Sequence, residues 1–264
     1  MSNETLQKDG SAAPLTSTLL HGDCLQLLFD LPTNSVDMVC CDMPYGITDC
    51  KWDTVLPLDM LWKHYRRVVK DTGVIVLTAA QPFSSRLVLS APDMFRQALV
   101  WDKKATTGFL NAKKKPLARH EDVLVFSRAK FGRMTYIPTM RKGPLRNKSS
   151  ERKCDSYAGR AYGPLIHRRD NFNDLYYPTT VIELSSGNKK ELRHPTQKPV
   201  ALMELLISTY SNKGDIILDN CMGSGTTGVA CRNLGRSFIG MELDESYFRL
   251  ATERITEIEH DGVA

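Results

Sequence analysis

The feature that most constrains this chain is an apolar run that stops abruptly at an acid and a glycine-bracketed turn. Ile216-Ile217-Leu218-Asp219 leads into Asn220-Cys221-Met222-Gly223-Ser224-Gly225-Thr226-Thr227. A short run without polar alternation is the pattern of a strand buried on both faces. Val36–Cys41 is a second such run, and it ends at Asp42-Met43-Pro44-Tyr45-Gly46. Around these two, strand and helix patterns alternate. Strands are expected at 18–20, 73–78, 95–101, 123–127 and Ser237–Glu242. Helices are expected at 24–31, 59–69, 82–90, 199–210, Thr226–Leu234 and 244–258. This order predicts an α/β fold with a largely parallel, doubly wound sheet and helices on both faces.

At 264 residues the chain can bury a sizeable core as one domain carrying an insertion. Residues 1–17 read as a flexible leader, 18–129 and 194–264 as two halves of the domain, and 130–193 as an irregular insertion rich in Gly, Pro, Arg, Lys and Tyr. A stretch of that length without a persistent period is expected to dock something. No apolar run approaches membrane-spanning length. The polar N-terminus lacks the basic-then-apolar order of a signal peptide. The seven cysteines form no C-x-x-C pair and no cluster at metal-ligand spacing. A reducing cytoplasm, with neither disulfide nor bound metal, is the expectation.

The net charge of +5 conceals an asymmetry. Residues 101–198 carry 22 Lys and Arg against 9 Asp and Glu, a net of +13, which leaves −8 for the remainder. A segregated basic surface suits a phosphate backbone, although a solvated basic loop would give the same count.

The glycine turn lets the backbone approach a ligand beyond the carboxyl end of a strand. It lacks the lysine of a phosphate-binding loop. The next strand ends at Glu242, 17 residues beyond Gly225, where an acid can accept hydrogen bonds from ribose hydroxyls. At the other loop, an aromatic amine is a poor nucleophile because its lone pair is delocalised into the ring. Two acceptors facing it would favour a tetrahedral nitrogen and stabilise the charge that develops on attack. The Asp42 carboxylate can be one acceptor. The carbonyl of Met43, whose conformation Pro44 restricts, can be the other. Tyr45 can stack on a base.

With these residues in view, the chain resembles the amino-methylating DNA methyltransferases that act on adenine N6 or cytosine N4. Their (Asp/Asn/Ser)-Pro-Pro-(Tyr/Phe) motif is matched by Asp42, Met43, Pro44 and Tyr45. Their Asp-Pro-Phe-x-Gly-Ser-Gly-Thr motif is matched from Asp219 to Thr226. The order of catalytic loop, recognition segment and cofactor turn is that of the beta group. The group's His-Pro-(Thr/Ala)-Gln-Lys-Pro segment is matched by His194, Pro195, Thr196, Gln197, Lys198 and Pro199.

The resemblance implies a Rossmann-like sheet and S-adenosyl-L-methionine as cofactor. It places Asp23 near the cofactor's adenine and His194, Thr196, Gln197 and Lys198 at its methionine end. Asp219, Asn220, Gly223, Ser224, Gly225, Thr226 and Glu242 complete the expected cofactor set. Two departures stand out. Met43 replaces a proline, and Asn220-Cys221 replaces Pro-Phe, removing an aromatic expected against the cofactor.

The resemblance also puts target recognition in the insertion, with duplex DNA as partner. Arg133, Arg141, Lys142, Arg146, Arg168 and Arg169 are expected to meet DNA, joined by Lys113, Lys114 and Lys115 from a loop beside the catalytic half. Dimers occur in the family and would help a short chain grip DNA. Asp42 fits the adenine-modifying members, with base flipping and direct in-line transfer to N6. The alternatives are a cytosine-N4 enzyme, an RNA or protein methyltransferase, and a non-catalytic DNA-binding relative.

Overall fold

A computed structural model describes residues 15–46, 53–145, 148–152, 167–171, 173–186 and 197–256, with backbone alone for 148–152 and 167–171. The chain divides into two compact units, Met1–Ile137 with Thr180–Ala264, and Pro138–Thr179. The large unit opens with β1 (Ser17–His21), α1 (Cys24–Asp30), β2 (Val36–Cys41), α2 (Leu58–Val68) and β3 (Val69–Ala79). It continues through α3 (Phe83–Ser90), β4 (Phe95–Thr107), a 3-10 turn (Phe109–Asn111) and β5 (Ala118–Phe126). The small unit holds β6 (Arg141–Lys142), β7 (Lys148–Arg152), β8 (His167–Asn171) and β9 (Leu175–Tyr176), paired β6 with β9 and β7 with β8. The large unit resumes with β10 (Val181–Glu183), α4 (Val200–Tyr210), β11 (Ile216–Asp219), α5 (Thr226–Leu234), β12 (Ser237–Glu242) and α6 (Glu245–Thr256).

The large unit is built on one eight-stranded sheet in the order β1-β12-β11-β2-β3-β5-β4-β10. All neighbours pair in parallel except those of β5, which runs antiparallel to both β3 and β4. Alternate residues of the central strands feed two cores, as the twofold period of a strand dictates. Val39, Cys41, Ile75 and Leu77 meet Leu28 of α1, Tyr65 of α2 and Leu87 of α3 on one face. Met38, Cys40, Val74 and Val76 meet Leu206 of α4, Ala230 of α5 and Ile255 of α6 on the other. The sheet is thus a middle layer between α1–α3 and α4–α6, and burial on both sides explains why its strands read as continuous apolar runs.

This layering creates the site. The chain leaves β2 toward the first face and leaves β11 toward the second, although β2 and β11 are neighbours in the sheet. Such a topological switch point opens a crevice at the carboxyl ends of the two strands, the place where open α/β sheets bind their ligands.

Boundaries differ from the sequence reading where exposed or charged residues continue a strand. β4 runs on to Thr107 and β5 begins at Ala118, because the two pair as a long hairpin with Thr107 opposite Ala118. The stretch 130–193, read as irregular, carries five short strands among its described residues. Two to five residues are too few for alternation to register.

Candidate active site

Asp42 follows the last residue of β2 and is held from three sides. Its Oδ1 accepts hydrogen bonds from the Tyr45 hydroxyl at 2.7 Å and from the hydroxyl of Thr78 on β3. Its Oδ2 accepts from the Lys198 ammonium at 2.8 Å. Each carboxylate oxygen can accept about two hydrogen bonds, so Oδ1 is filled and Oδ2 keeps one acceptor position. Met43 is in the core, 3 % exposed, with its Sδ 4.0 Å from the Tyr65 hydroxyl. The methionine that stands in place of a proline is therefore accommodated as core, and the loop loses no polar contact by it.

Tyr45 is more engaged than the sequence suggested. Its hydroxyl lies 3.0 Å from Thr78 Oγ1 as well as bonding Asp42. Its ring stacks on Phe83 at 5.6 Å between centroids, and the Lys198 ammonium lies over it at 5.5 Å. Burial, reinforced by the Asp42 charge, pushes the phenol well above its usual value, so it remains a donor.

Lys198 precedes α4, and the resemblance would have it at the cofactor's methionine end. The structure seats its side chain on Asp42 and, at 3.2 Å, on Glu121 of β5. Burial opposes its charge, but the two carboxylates outweigh that cost and hold the ammonium above its usual pKa. Glu121 also pairs with Lys103 of β4 at 3.2 Å.

The glycine turn sits at the end of β11. Asp219 is buried, and its carboxylate accepts from the Cys221 backbone N–H at 3.1 Å and the Thr227 hydroxyl at 2.6 Å. Burial pushes its pKa up to about 6 against those hydrogen bonds. Asn220 is buried as well, its Oδ1 accepting from the Tyr65 hydroxyl at 2.5 Å. Both side chains therefore brace the turn from behind. Gly223 and Gly225 have φ of +51° and +78°. A Cβ on Gly225 would come within 3.0 Å of Ala251 and Ile255, whereas one on Gly223 would enter open space. The front of the turn is a backbone cradle that a single methyl group would begin to fill.

Glu242, at the end of β12, closes this cradle. One oxygen accepts from Gly223 N–H at 2.8 Å and the other from Asp244 N–H at 2.9 Å. Gly22 N–H donates to the Glu242 carbonyl, which brings the neighbouring Asp23 to the same end of the sheet. Asp23 is exposed there and caps α1 through Leu25 and Gln26 N–H. Ser224 donates to Gln197 Oε1 at 3.3 Å, joining the segment before α4 to the turn, and Arg254 of α6 donates to both Ser224 oxygens. Thr226 opens α5 and is buried. His194 and Thr196 lie outside the described residues.

The residues expected to meet DNA fall in three places. Lys113, Lys114 and Lys115 are exposed near the tip of the β4–β5 hairpin, close to Phe109 and Leu110, which are 77 % and 100 % exposed. Arg133 is exposed elsewhere on the large unit. In the small unit Arg141 and Lys142 form β6 and are exposed, while Arg168 and Arg169 lie on β8. Arg146 lies outside the described residues. Among the described residues, no helix is long and apolar enough to cross a membrane, and no group of three or more His, Cys, Asp or Glu is placed to hold a metal ion. Thr78, Glu121, Tyr65 and Arg254 escaped the sequence reading, since none belongs to a local motif, and Lys103, read from sequence with Lys104 as part of a basic cluster beside the catalytic half, is buried against Glu121.

Comparison with known proteins agrees with this geometry. The sequence pattern of the DNA methylase family, N6/N4 type, matches residues 36–253. The type II methyltransferase M1.MboII of Moraxella bovis is 29 % identical over 262 residues, covering 90 % of this chain and 95 % of its own length. The DNA adenine methyltransferase YhdJ of Escherichia coli K12 is 28 % identical over 258 residues, covering 92 % and 84 %. Among solved structures, the M1.HpyAVI–SAM complex aligns with a TM-score of 0.61 at 24 % identity, covering 92 % of this chain and all of that one. The cytosine-N4-specific PvuII DNA methyltransferase aligns with a TM-score of 0.65 at 16 % identity, covering 92 % and 88 %. The family pattern spans most of the sequence, and the chain belongs to the N6/N4 DNA methylase family.

Proposed function

We propose that this protein transfers a methyl group from S-adenosyl-L-methionine to the N6 amino group of adenine in duplex DNA, acting in the cytoplasm. The observation that carries this reading is the Asp42 carboxylate, fixed at the mouth of the crevice with one acceptor position left on Oδ2. The choice of adenine is supported by the acid at position 42, where cytosine-N4 members commonly carry serine, and by the adenine-specific name of the YhdJ relative.

The residues present fit the cofactor. The open space before Gly223 accepts a ligand against bare backbone, and Glu242 stands at the strand end where ribose hydroxyls would be met. Asp23, Gln197 and Ser224 border the same region, with His194, Thr196 and Lys198 assigned to it by family pattern. When bound, S-adenosyl-L-methionine supplies an electrophilic methyl group on a sulfonium.

The chain's own residues do the rest. The target base leaves the duplex, because pairing otherwise occupies its amino group. Asp42 Oδ2 and the Met43 carbonyl accept hydrogen bonds from that amino group and stabilise the charge that grows on its nitrogen. Thr78, Tyr45 and Lys198 keep the carboxylate in one orientation, so little reorganisation is needed at the moment of attack. Lys113, Lys114, Lys115 and Arg133, with Arg141, Lys142, Arg146, Arg168 and Arg169, neutralise phosphates and position the duplex. Asp42→Ala tests the assignment. It is expected to abolish methyl transfer while calorimetry still detects cofactor binding, and full activity in that variant would overturn the reading.

A further inference from the structure

Beside Asp42 lies a row of alternating charges that neither the fold nor the cofactor cradle requires. Asp42, Lys198, Glu121 and Lys103 succeed one another at 2.8, 3.2 and 3.2 Å. The sheet register explains their convergence. Cys41 of β2 pairs with Leu77 of β3, and Thr78 of β3 pairs with Val123 of β5. Asp42 therefore falls level with Thr78, and Glu121, two residues from Val123, shares the face of Val123. Lys103, two residues beyond the buried Trp101, joins them from β4. Lys198 descends onto that face from the start of α4.

These charges are largely withdrawn from water. Lys198 is 7 % exposed and Lys103 9 %. Glu121 Oε2 is buried and has no directed hydrogen bond, although the Lys198 ammonium is within ion-pair distance. Burying a charge row of this kind contributes little to stability compared with apolar side chains of similar volume. Its one evident product is the placement of an ammonium on Asp42 Oδ2. Without Glu121, a lysine stem with four rotatable bonds would be held only by Asp42 and the face of the Tyr45 ring.

We infer that Glu121 is a positioning residue for methyl transfer: through Lys198 it fixes the orientation of the Asp42 carboxylate that receives the target amino group. Glu121 touches neither base nor cofactor in this scheme. The inference rests on the assignment of Asp42 as the acceptor, so both are tested in one series.

The experiment compares wild type, Glu121→Gln, Glu121→Asp and Asp42→Ala, measuring kcat and KM on unmethylated DNA, Kd for S-adenosylmethionine and the thermal transition. For Glu121→Gln, kcat is expected to fall about tenfold to a hundredfold, the scale of a small misplacement of a reacting group. KM and Kd should stay within about threefold, as expected when only transition-state stabilisation is lost. Glu121→Asp, which keeps the charge, should recover part of kcat. Wild-type kcat in Glu121→Gln, with Asp42→Ala inactive, would overturn the role of Glu121 and leave the Asp42 assignment standing. Loss of the thermal transition and of cofactor binding in both Glu121 variants would show a structural role and also overturn it. Activity retained in Asp42→Ala would remove the assignment on which the inference rests.

Discussion

Tyr65→Phe is the perturbation whose magnitude follows most directly from the structure. Tyr65 is a fully buried residue of α2, and its hydroxyl donates to Asn220 Oδ1 at 2.5 Å while lying 4.0 Å from Met43 Sδ. One hydroxyl thus connects the helix, the loop after β2 and the glycine turn after β11. Phenylalanine fills the same ring volume, so no cavity penalty arises. What is lost is one hydrogen bond, and Asn220 Oδ1 is left buried without that donor. A buried acceptor stripped of its partner costs about 1–3 kcal/mol. For a chain of this size each kcal/mol lowers the melting temperature by about 2–4 °C, giving a drop of about 2–12 °C. Urea unfolding of wild type, Tyr65→Phe, Asn220→Ala and the double variant completes a cycle. Because the two groups touch, the double variant should be less destabilised than the sum of the single changes by about 1 kcal/mol or more. A loss under about 0.3 kcal/mol in Tyr65→Phe, or strict additivity, would refute the claim that this contact braces the turn.

Three other outcomes are expected. Gly223→Ala places a methyl group in the open cradle at a φ of +51°; it should cost about 1–2 kcal/mol of stability and weaken cofactor binding more than it lowers the melting point, as calorimetry can show. Replacing Lys113, Lys114 and Lys115 together by Gln should weaken DNA binding and reduce the slope of log K against log salt by about three, at roughly 0.9 per phosphate contact. Asp219 gives a pH signature. Its folded pKa of about 6 lies above the unfolded value near 3.8, so its contribution to stability is fully present below pH 4 and is lost as pH rises through 6. The difference is about 3 kcal/mol. Asp219→Asn should remove that component when denaturant midpoints at pH 4.5 and pH 7 are compared with wild type.

The parts of this molecule that could be read from sequence are those whose signal is local. β2 and β11 showed themselves as apolar runs because both their faces are covered, and Asp42 and Gly223 followed because they stand at the ends of those runs. The outer half of the β4–β5 hairpin did not, since Lys103, Lys104 and the lysines near its tip give no strand alternation there. The site was harder to read where it is assembled across the chain. Lys198 and Asp42 are 156 residues apart, and Tyr65 and Asn220 are 155 apart. No spacing rule announces such pairs. Glu121 and Thr78 acquire their roles only once the register of β2, β3 and β5 sets them on one face. Asn220 was legible as a departure from the family motif, but its partner Tyr65 was not, because the turn is braced by a helix that precedes it by the whole insertion.

The measurement that bears most directly on the central claim is incubation of the protein with methyl-labelled S-adenosylmethionine and unmethylated genomic DNA, followed by nucleoside analysis. The expected result is label in N6-methyladenine. Label in N4-methylcytosine would contradict the choice of base while preserving the chemistry of the crevice, and DNA without label, in a protein that still binds the cofactor, would contradict the assignment of duplex DNA as its substrate.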